Sequence, residues 1–309
     1  HSNSQSFGWA ARQAIELARE KIAGLIGAEN KEVIFTSGAT EANNLAIKGI
    51  IKSPGRRGNH IVTSKVEHKC VLETCRKAEK EGIKVTYLEV SGQGIVDIEH
   101  LKKAVDKDTF LVSIMGVNNE TGVVQPLSEI GETCRAKNIY FHTDCAQAVG
   151  KIPINVNKLN IDLMSFSGHK FYAPMGIGVL YVRRRPRVRL VNQMDGGGQE
   201  RGLRSGTLPL PLCVGLGKAA EIASAEMVEE MSWISQLRER FLLSIRDKIP
   251  EVRVNGSMEK RIPGNLNLQF EDINVETLLS EVRGVAISSG AANRPNGNRA
   301  FMFFLCSSV

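Results

Sequence analysis

Residues 165–170 read Ser165-Phe166-Ser167-Gly168-His169-Lys170, directly after the apolar run Ile161-Asp162-Leu163-Met164 and before Phe171-Tyr172-Ala173-Pro174-Met175-Gly176. A short apolar run closed by glycine and turn residues predicts a buried strand, and this one delivers an ammonium group to its carboxyl end. Taken alone, such a lysine is a surface charge in a turn, because lysines are almost never fully buried. The other strand ends decide whether it is more than that.

Outward from this stretch the chain alternates. Apolar residues recur at helical spacing from Phe7 to Ile26, with Gly27 as the stop. Strands are expected at 32–35, 60–63, 84–88, 110–115, 139–142 and 178–182, and helices at 41–51, 71–81, 98–105 and 130–137. That order implies right-handed crossovers and a mainly parallel sheet covered on both faces, an α/β fold. From about Lys218 the texture changes to a long amphipathic helix ending near Ile249. Strands near 252–254 and 266–270 and a helix over 277–282 follow. Residues 1–225 thus read as a large domain and 226–309 as a smaller C-terminal α/β domain.

Composition sets bounds on function. The chain has 309 residues, 42% apolar and 24% charged, as in ordinary globular proteins with a sizeable core. No stretch is long and apolar enough for a membrane helix, and no signal or transit peptide is visible. The start at His1 reads as a processed or truncated end. The net charge of +7 gathers partly in Arg183-Arg184-Arg185-Pro186-Arg187-Val188-Arg189, which reads as a solvated loop after the strand at 178–182. Nothing aromatic is interleaved with it, so a nucleic-acid partner is not expected. Six cysteines (70, 75, 134, 145, 213 and 306) form no CxxC pair and read as reduced intracellular thiols, with no metal site.

Ligands of open α/β sheets lie beyond the carboxyl ends of the strands. In chain order those ends carry Thr36-Ser37-Gly38-Ala39-Thr40-Glu41, Val66-Glu67-His68-Lys69, Val117-Asn118-Asn119-Glu120-Thr121-Gly122, Thr143-Asp144-Cys145-Ala146-Gln147 and Ser165 to Lys170. Each alone is an ordinary capping or core polar group. Together they supply a helix-end phosphate turn, a flat ring, an amide, a carboxylate and an amine. Pyridoxal 5′-phosphate needs that set: a lysine for its Schiff base, a carboxylate against its pyridinium nitrogen, a phosphate cradle and a ring to stack on.

The chain resembles the cysteine desulfurases of the NifS/IscS group, mitochondrial and proteobacterial branch, within the class V aminotransferase-like, fold-type I pyridoxal-phosphate enzymes. The resemblance rests on the strand-end stretches above, extended to Asn43-Asn44 and His142. It also rests on Gly196-Gly197-Gly198-Gln199-Glu200-Arg201-Gly202-Leu203-Arg204-Ser205-Gly206-Thr207. It implies a large domain with a mainly parallel seven-stranded sheet and a smaller C-terminal domain. It implies that Lys170 forms the Schiff base, Asp144 pairs with the ring nitrogen, and His68 stacks on the ring and moves protons. Gln147 is implied to donate to the phenolic oxygen, with Asn119 near that oxygen and the substrate carboxylate. Phosphate falls to the Ala39 amide, Thr40, Ser167 and His169, and Thr207 reaches the other subunit's phosphate in a homodimer. The implied reaction converts L-cysteine to L-alanine and a persulfide, which iron–sulfur scaffold and sulfur-acceptor proteins receive. The implied location is the mitochondrial matrix, with the bacterial cytoplasm as the alternative.

The match has gaps. The family's nucleophilic cysteine follows Ser-Ser-Gly, but here Ser288-Ser289-Gly290-Ala291-Ala292-Asn293 ends in a carboxamide, which offers no thiolate. Beyond it the resemblance stops, and no counterpart of the family's carboxylate-binding arginine is found. The stretch before Phe7 is expected to be cut short, and Met175 stands where a lysine is usual. Three readings follow: a desulfurase with an altered end, a pyridoxal-phosphate lyase or transaminase of other specificity, and a non-catalytic dimeric scaffold of sulfur transfer. Cys306 is weighed as a substitute nucleophile and set aside, because reach alone does not create catalytic positioning.

Overall fold

The computed structural model describes residues 6–271, 281, 288–289 and 299–305. The chain opens with helix α1 (Ser6–Ile26), whose Ile15, Ala18, Ile22 and Ile26 line one buried stripe at helical spacing. Gly27, at φ +69°, ends it in the left-handed conformation that favours glycine. Then come β1 (Val33–Thr36), α2 (Ala39–Ile51), β2 (His60–Ser64), α3 (Lys69–Lys80), β3 (Lys84–Leu88), α4 (Ile98–Ala104) and β4 (Thr109–Ser113). The first unit closes with α5 (Leu127–Ala136), β5 (Tyr140–Asp144), β6 (Leu163–Ser167) and β7 (Gly178–Val182).

These strands form one seven-stranded sheet in the order β1-β7-β6-β5-β4-β2-β3. β3, β2, β4, β5 and β6 are parallel, while β7 runs antiparallel to both β6 and β1. All five residues of β2, β4, β6 and β7 are buried, as expected of strands covered on both faces. The core splits accordingly. On one face Val112, Phe141 and Phe166 pack with α1 residues; on the other Ile61, Leu111 and Leu180 pack with α2 and α3. This is the α/β arrangement expected of a fold-type I enzyme.

The long helix α6 (Leu210–Lys248) starts eight residues before the expected change of texture and spans the expected boundary at 225. It crosses α1 closely: a Cβ on Gly217 would lie 2.6 Å from the Ala18 Cα. A second, antiparallel sheet follows in the order β10-β11-β9-β8, from β8 (Arg253–Val254), β9 (Asn265–Glu271), β10 (Ser288–Ser289) and β11 (Arg299–Leu305). β11 has no counterpart in the sequence reading. The helix expected over 277–282 lies outside the described residues apart from position 281, which is helical. The arginine run also departs from expectation at one place. Arg183 is buried, donates to the carbonyls of Val156 and Ile161, and pairs with Asp162 at 3.2 Å, so the solvated stretch begins at Arg184.

One glycine sets how the fold presents its site. Gly178 opens β7 opposite Thr36 and Ser167, and a Cβ there would meet the Gly38 Cα at 2.5 Å and the Phe166 carbonyl oxygen at 2.6 Å. Both neighbours are backbone and cannot swing aside. Gly178→Ala should therefore destabilise the protein by roughly 1–3 kcal/mol in denaturant unfolding, as overpacking of a dense core does. An unchanged midpoint would show that the turn at 37–40 does not depend on this contact.

Candidate active site

The carboxyl ends of β1, β2, β4, β5 and β6 bring most of the expected residues to one edge of the sheet. Helix α2 begins at Ala39, two residues earlier than the sequence suggests, so Ala39 and Thr40 form its first turn. The Ala39 amide donates to the Ser167 Oγ at 2.7 Å, joining the turn after β1 to the end of β6. Glu41 braces the same turn by accepting from the Ser37 amide at 2.8 Å and from Arg204 Nε at 2.8 Å. Burial alone would raise the Glu41 carboxyl, but the hydrogen bonds from Arg204 and Ser37 outweigh it and hold it below its ordinary value.

Asp144, the last residue of β5, lies at the floor of the site and is buried. Its Oδ2 accepts from Asn43 Nδ2 at 2.6 Å and its Oδ1 from the Ala146 amide at 2.9 Å. Burial raises its affinity for a proton, against these two donors and the field of His68. Among the described residues Asp144 makes no ion pair, so the carboxylate is buried without a cation of its own. A protonated pyridine nitrogen supplies that cation, and in this respect the residues present fit pyridoxal phosphate.

His68 is exposed and caps α3: its Nδ1 accepts from the Cys70 amide at 3.2 Å and lies 3.0 Å from the Cys70 Sγ. Asn43 Nδ2 reaches that sulfur too, at 3.1 Å. Asn43 and Cys70 are thus part of the site although the sequence reading gave neither a role. The paired asparagines of the resembling motif were the available signal for Asn43. Burial, with the field of Asp144, pushes the Cys70 thiol up to about 11, so it is a packing and hydrogen-bonding group and not a thiolate. His142, one turn of the pleat below, is buried between Ser113 Oγ (2.8 Å) and Ser165 Oγ (3.1 Å), and burial lowers it to about 3. It is a neutral spacer.

Of the two adjacent asparagines, Asn118 is consumed by structure. Its Oδ1 accepts from the Glu120 and Thr121 amides, at 3.0 and 2.8 Å, and its Nδ2 donates to the Val66 carbonyl at 3.0 Å. Half-buried Asn119 has no hydrogen-bond partner among the described residues and is left for a ligand. The second sheet grips this loop: the Gly122 carbonyl accepts from the Ile262 amide at 2.9 Å, and Asn265 and Asn267 donate to the Glu120 carbonyl at 3.2 and 3.3 Å.

Lys170 and His169 sit exposed in the single turn after β6, at the mouth of the site. Burial and then the charge of Lys170 lower the His169 imidazole. Buried Gln147 faces Lys151, which the sequence reading did not single out. Thr207 is exposed and joins none of these groups among the described residues. Its segment is pinned from below, where the buried Glu200 pairs with Arg19 at 2.8 Å and accepts from the Phe35 amide at 2.6 Å. Asn293 and Cys306 lie outside the described residues.

The Aminotransferase class-V family model matches residues 1–299. A cysteine desulfurase IscS of Rickettsia felis is 56% identical over 292 residues, covering 94% of this chain and 71% of that protein. The Rickettsia akari IscS is 57% identical over the same length, with the same coverage. Among solved structures, a NifS-like protein superposes with a TM-score of 0.91 at 37% identity, covering 98% of this chain and 85% of that one. SspA in complex with cysteine gives 0.82 at 39% identity, covering 98% and 90%. The chain belongs to the class-V aminotransferase family of pyridoxal-phosphate enzymes. Within it, the chain is by family a cysteine desulfurase of the NifS/IscS group.

Glu67 is the site's other unassigned group. It is buried beside His68, and its Oε1 accepts from Ser64 Oγ at 2.7 Å and the Met115 amide at 2.8 Å, while Oε2 has no partner. With Asn118 it straps the His68 loop to the end of β4. Burial pushes its carboxyl up to about 8, so the acid is neutral at pH 7. A folded-state value raised above the unfolded 4.5 means that the folded form holds the proton longer. This contribution is whole below pH 4.5 and lost as pH rises through about 8. Glu67→Gln, a neutral isostere, should therefore gain in melting temperature relative to the parent as pH rises across that window. A difference that stays constant from pH 5 to 8.5 would contradict a protonated Glu67.

Proposed function

We propose that this chain binds pyridoxal phosphate through Lys170 and carries L-cysteine as far as loss of its α-proton, with sulfur abstraction limited by residue 293. The observation that carries the first half is the buried Asp144 carboxylate, held by Asn43 and the Ala146 amide with no cation of its own. When bound, the cofactor supplies an aldehyde that captures amines and a ring that draws electrons from the substrate Cα. Asp144 keeps a proton on the ring nitrogen, and His68 covers the ring. Thr40, Ser167 and His169 hold the phosphate at the α2 N-terminus, where the helix dipole favours an anion. The Ala39 amide, expected to bind phosphate directly, is already spent on Ser167 Oγ and orients that hydroxyl instead. Gln147 donates to the phenolic oxygen, and Asn119 receives the substrate carboxylate. Lys170 Nζ then moves the proton at Cα.

The second half needs a thiolate at the substrate sulfur. Residue 293 is an asparagine, and Cys70 has a raised thiol at the Asp144 end of the site. Alanine and persulfide should therefore form slowly or not at all from this chain as written. Where they do form, the sulfur goes to iron–sulfur scaffold and sulfur-acceptor proteins. The setting we propose is the mitochondrial matrix, with the bacterial cytoplasm as the alternative.

Two measurements test the cofactor reading. Borohydride should fix the cofactor on the peptide containing Lys170, and Lys170→Ala should bind it only noncovalently. A protein that stays colourless after reconstitution would end this reading. A homodimer is proposed because exposed Thr207 sits on a segment pinned beneath it, and Met175 is exposed as well. Sedimentation should give twice the chain mass; a monomer binding cofactor normally would exclude shared sites.

A further inference from the structure

A second lysine stands beside the first. Gln147 and Lys151 lie four residues apart on the tightly wound segment after β5, where Val149 and Ile152 close i→i+4 amide bonds to Cys145 and Ala148. Lys151 Nζ donates to Gln147 Oε1 at 2.8 Å. Gly150, at φ +75°, packs so closely that a Cβ on it would lie 2.7 Å from the Phe171 Cβ. That approach brings the chain segments carrying Lys151 and Lys170 together. The half-buried Lys151 ammonium feels both its burial and the charge of Lys170, the one charged group whose field shifts it, and falls to about 8.

We propose that Lys151 is a positioning residue for the cofactor, locking the Gln147 carboxamide and placing a second positive charge beside Lys170. A carboxamide turns either way at little cost, and the two ends have opposite hydrogen-bonding roles. With Oε1 occupied by an ammonium donor, only the NH₂ end of Gln147 faces outward, as a donor. That is the end an anionic phenolic oxygen requires. The charge acts separately: in the holoenzyme a cation near the Lys170 nitrogen opposes a second positive charge there, so removing Lys151 should ease protonation of the bound cofactor. Neither effect requires Lys151 to touch substrate. The inference rests on the cofactor reading above and adds a residue to it.

The test uses the holoenzyme and reads the absorbance of bound cofactor against pH. Lys151→Met should raise the midpoint of the absorbance change by about one pH unit, as expected for removing one nearby charge, and weaken cofactor retention several-fold. Lys151→Arg, which keeps charge and donor, should restore both. Lys151→Gln keeps a donor without charge, so it should shift the midpoint while losing less affinity. In a Gln147→Met background, Lys151→Gln should have no further effect on affinity, because the group it orients is gone. A Lys151→Met midpoint equal to the parent's, or an Arg variant that behaves like Met, overturns the inference and leaves the cofactor reading standing. A parent protein with no chromophore overturns the cofactor reading, and this inference with it.

Discussion

A carboxylate taken out of water is expensive unless something charged or polar replaces the water, and Asp144 is where this chain accepts that expense. β5 carries it to the buried end of the central strand row, and Asn43 and the Ala146 amide supply only neutral donors. The surroundings follow from holding that group in place. Asn43 comes from α2, whose first turn carries Ala39 and Thr40, so one helix positions both the carboxylate and the turn proposed for the phosphate. Asn43 also fixes Cys70, which orients His68. Loss of the Asp144 position would leave the rest of the edge without a reason for its geometry.

A second constraint is that the site's loops are held by groups that do no chemistry. Asn118 and Glu67 tie the His68 loop to the end of β4, and the second sheet ties the Asn119 loop through Asn265 and Asn267. Glu41, Arg204 and Glu200 do the same for the turn at 37–40 and the segment ending at Thr207. Side chains fixed by such supports lose little freedom on binding, which is what makes a preorganised site effective.

Much of this was legible in the sequence because the signals are local. Strand and helix periodicity predicts the alternation, and the strand ends carry His68, Asp144, Gln147 and Lys170, whose roles come from the family resemblance. Long-range partners were not legible. Nothing in the stretch at 41–44 says that Asn43 reaches Asp144, and nothing around Lys151 says that its ammonium reaches Gln147. The arginine run departs from expectation at Arg183 for the same reason, since Arg183 finds buried carbonyls contributed by residues more than twenty positions away. β11 escaped because its pairing with β9 is defined by a distant partner and not by its own pattern.

The proposed reaction divides at the substrate sulfur: proton transfer at Cα uses residues that are present, and persulfide formation needs a thiolate that residue 293 lacks. The most direct measurement incubates the reconstituted protein with L-cysteine in deuterated water and analyses the recovered amino acids by mass spectrometry. The division predicts cysteine carrying deuterium at Cα with little or no alanine. Stoichiometric or catalytic alanine, persisting in Cys306→Ala, would contradict it.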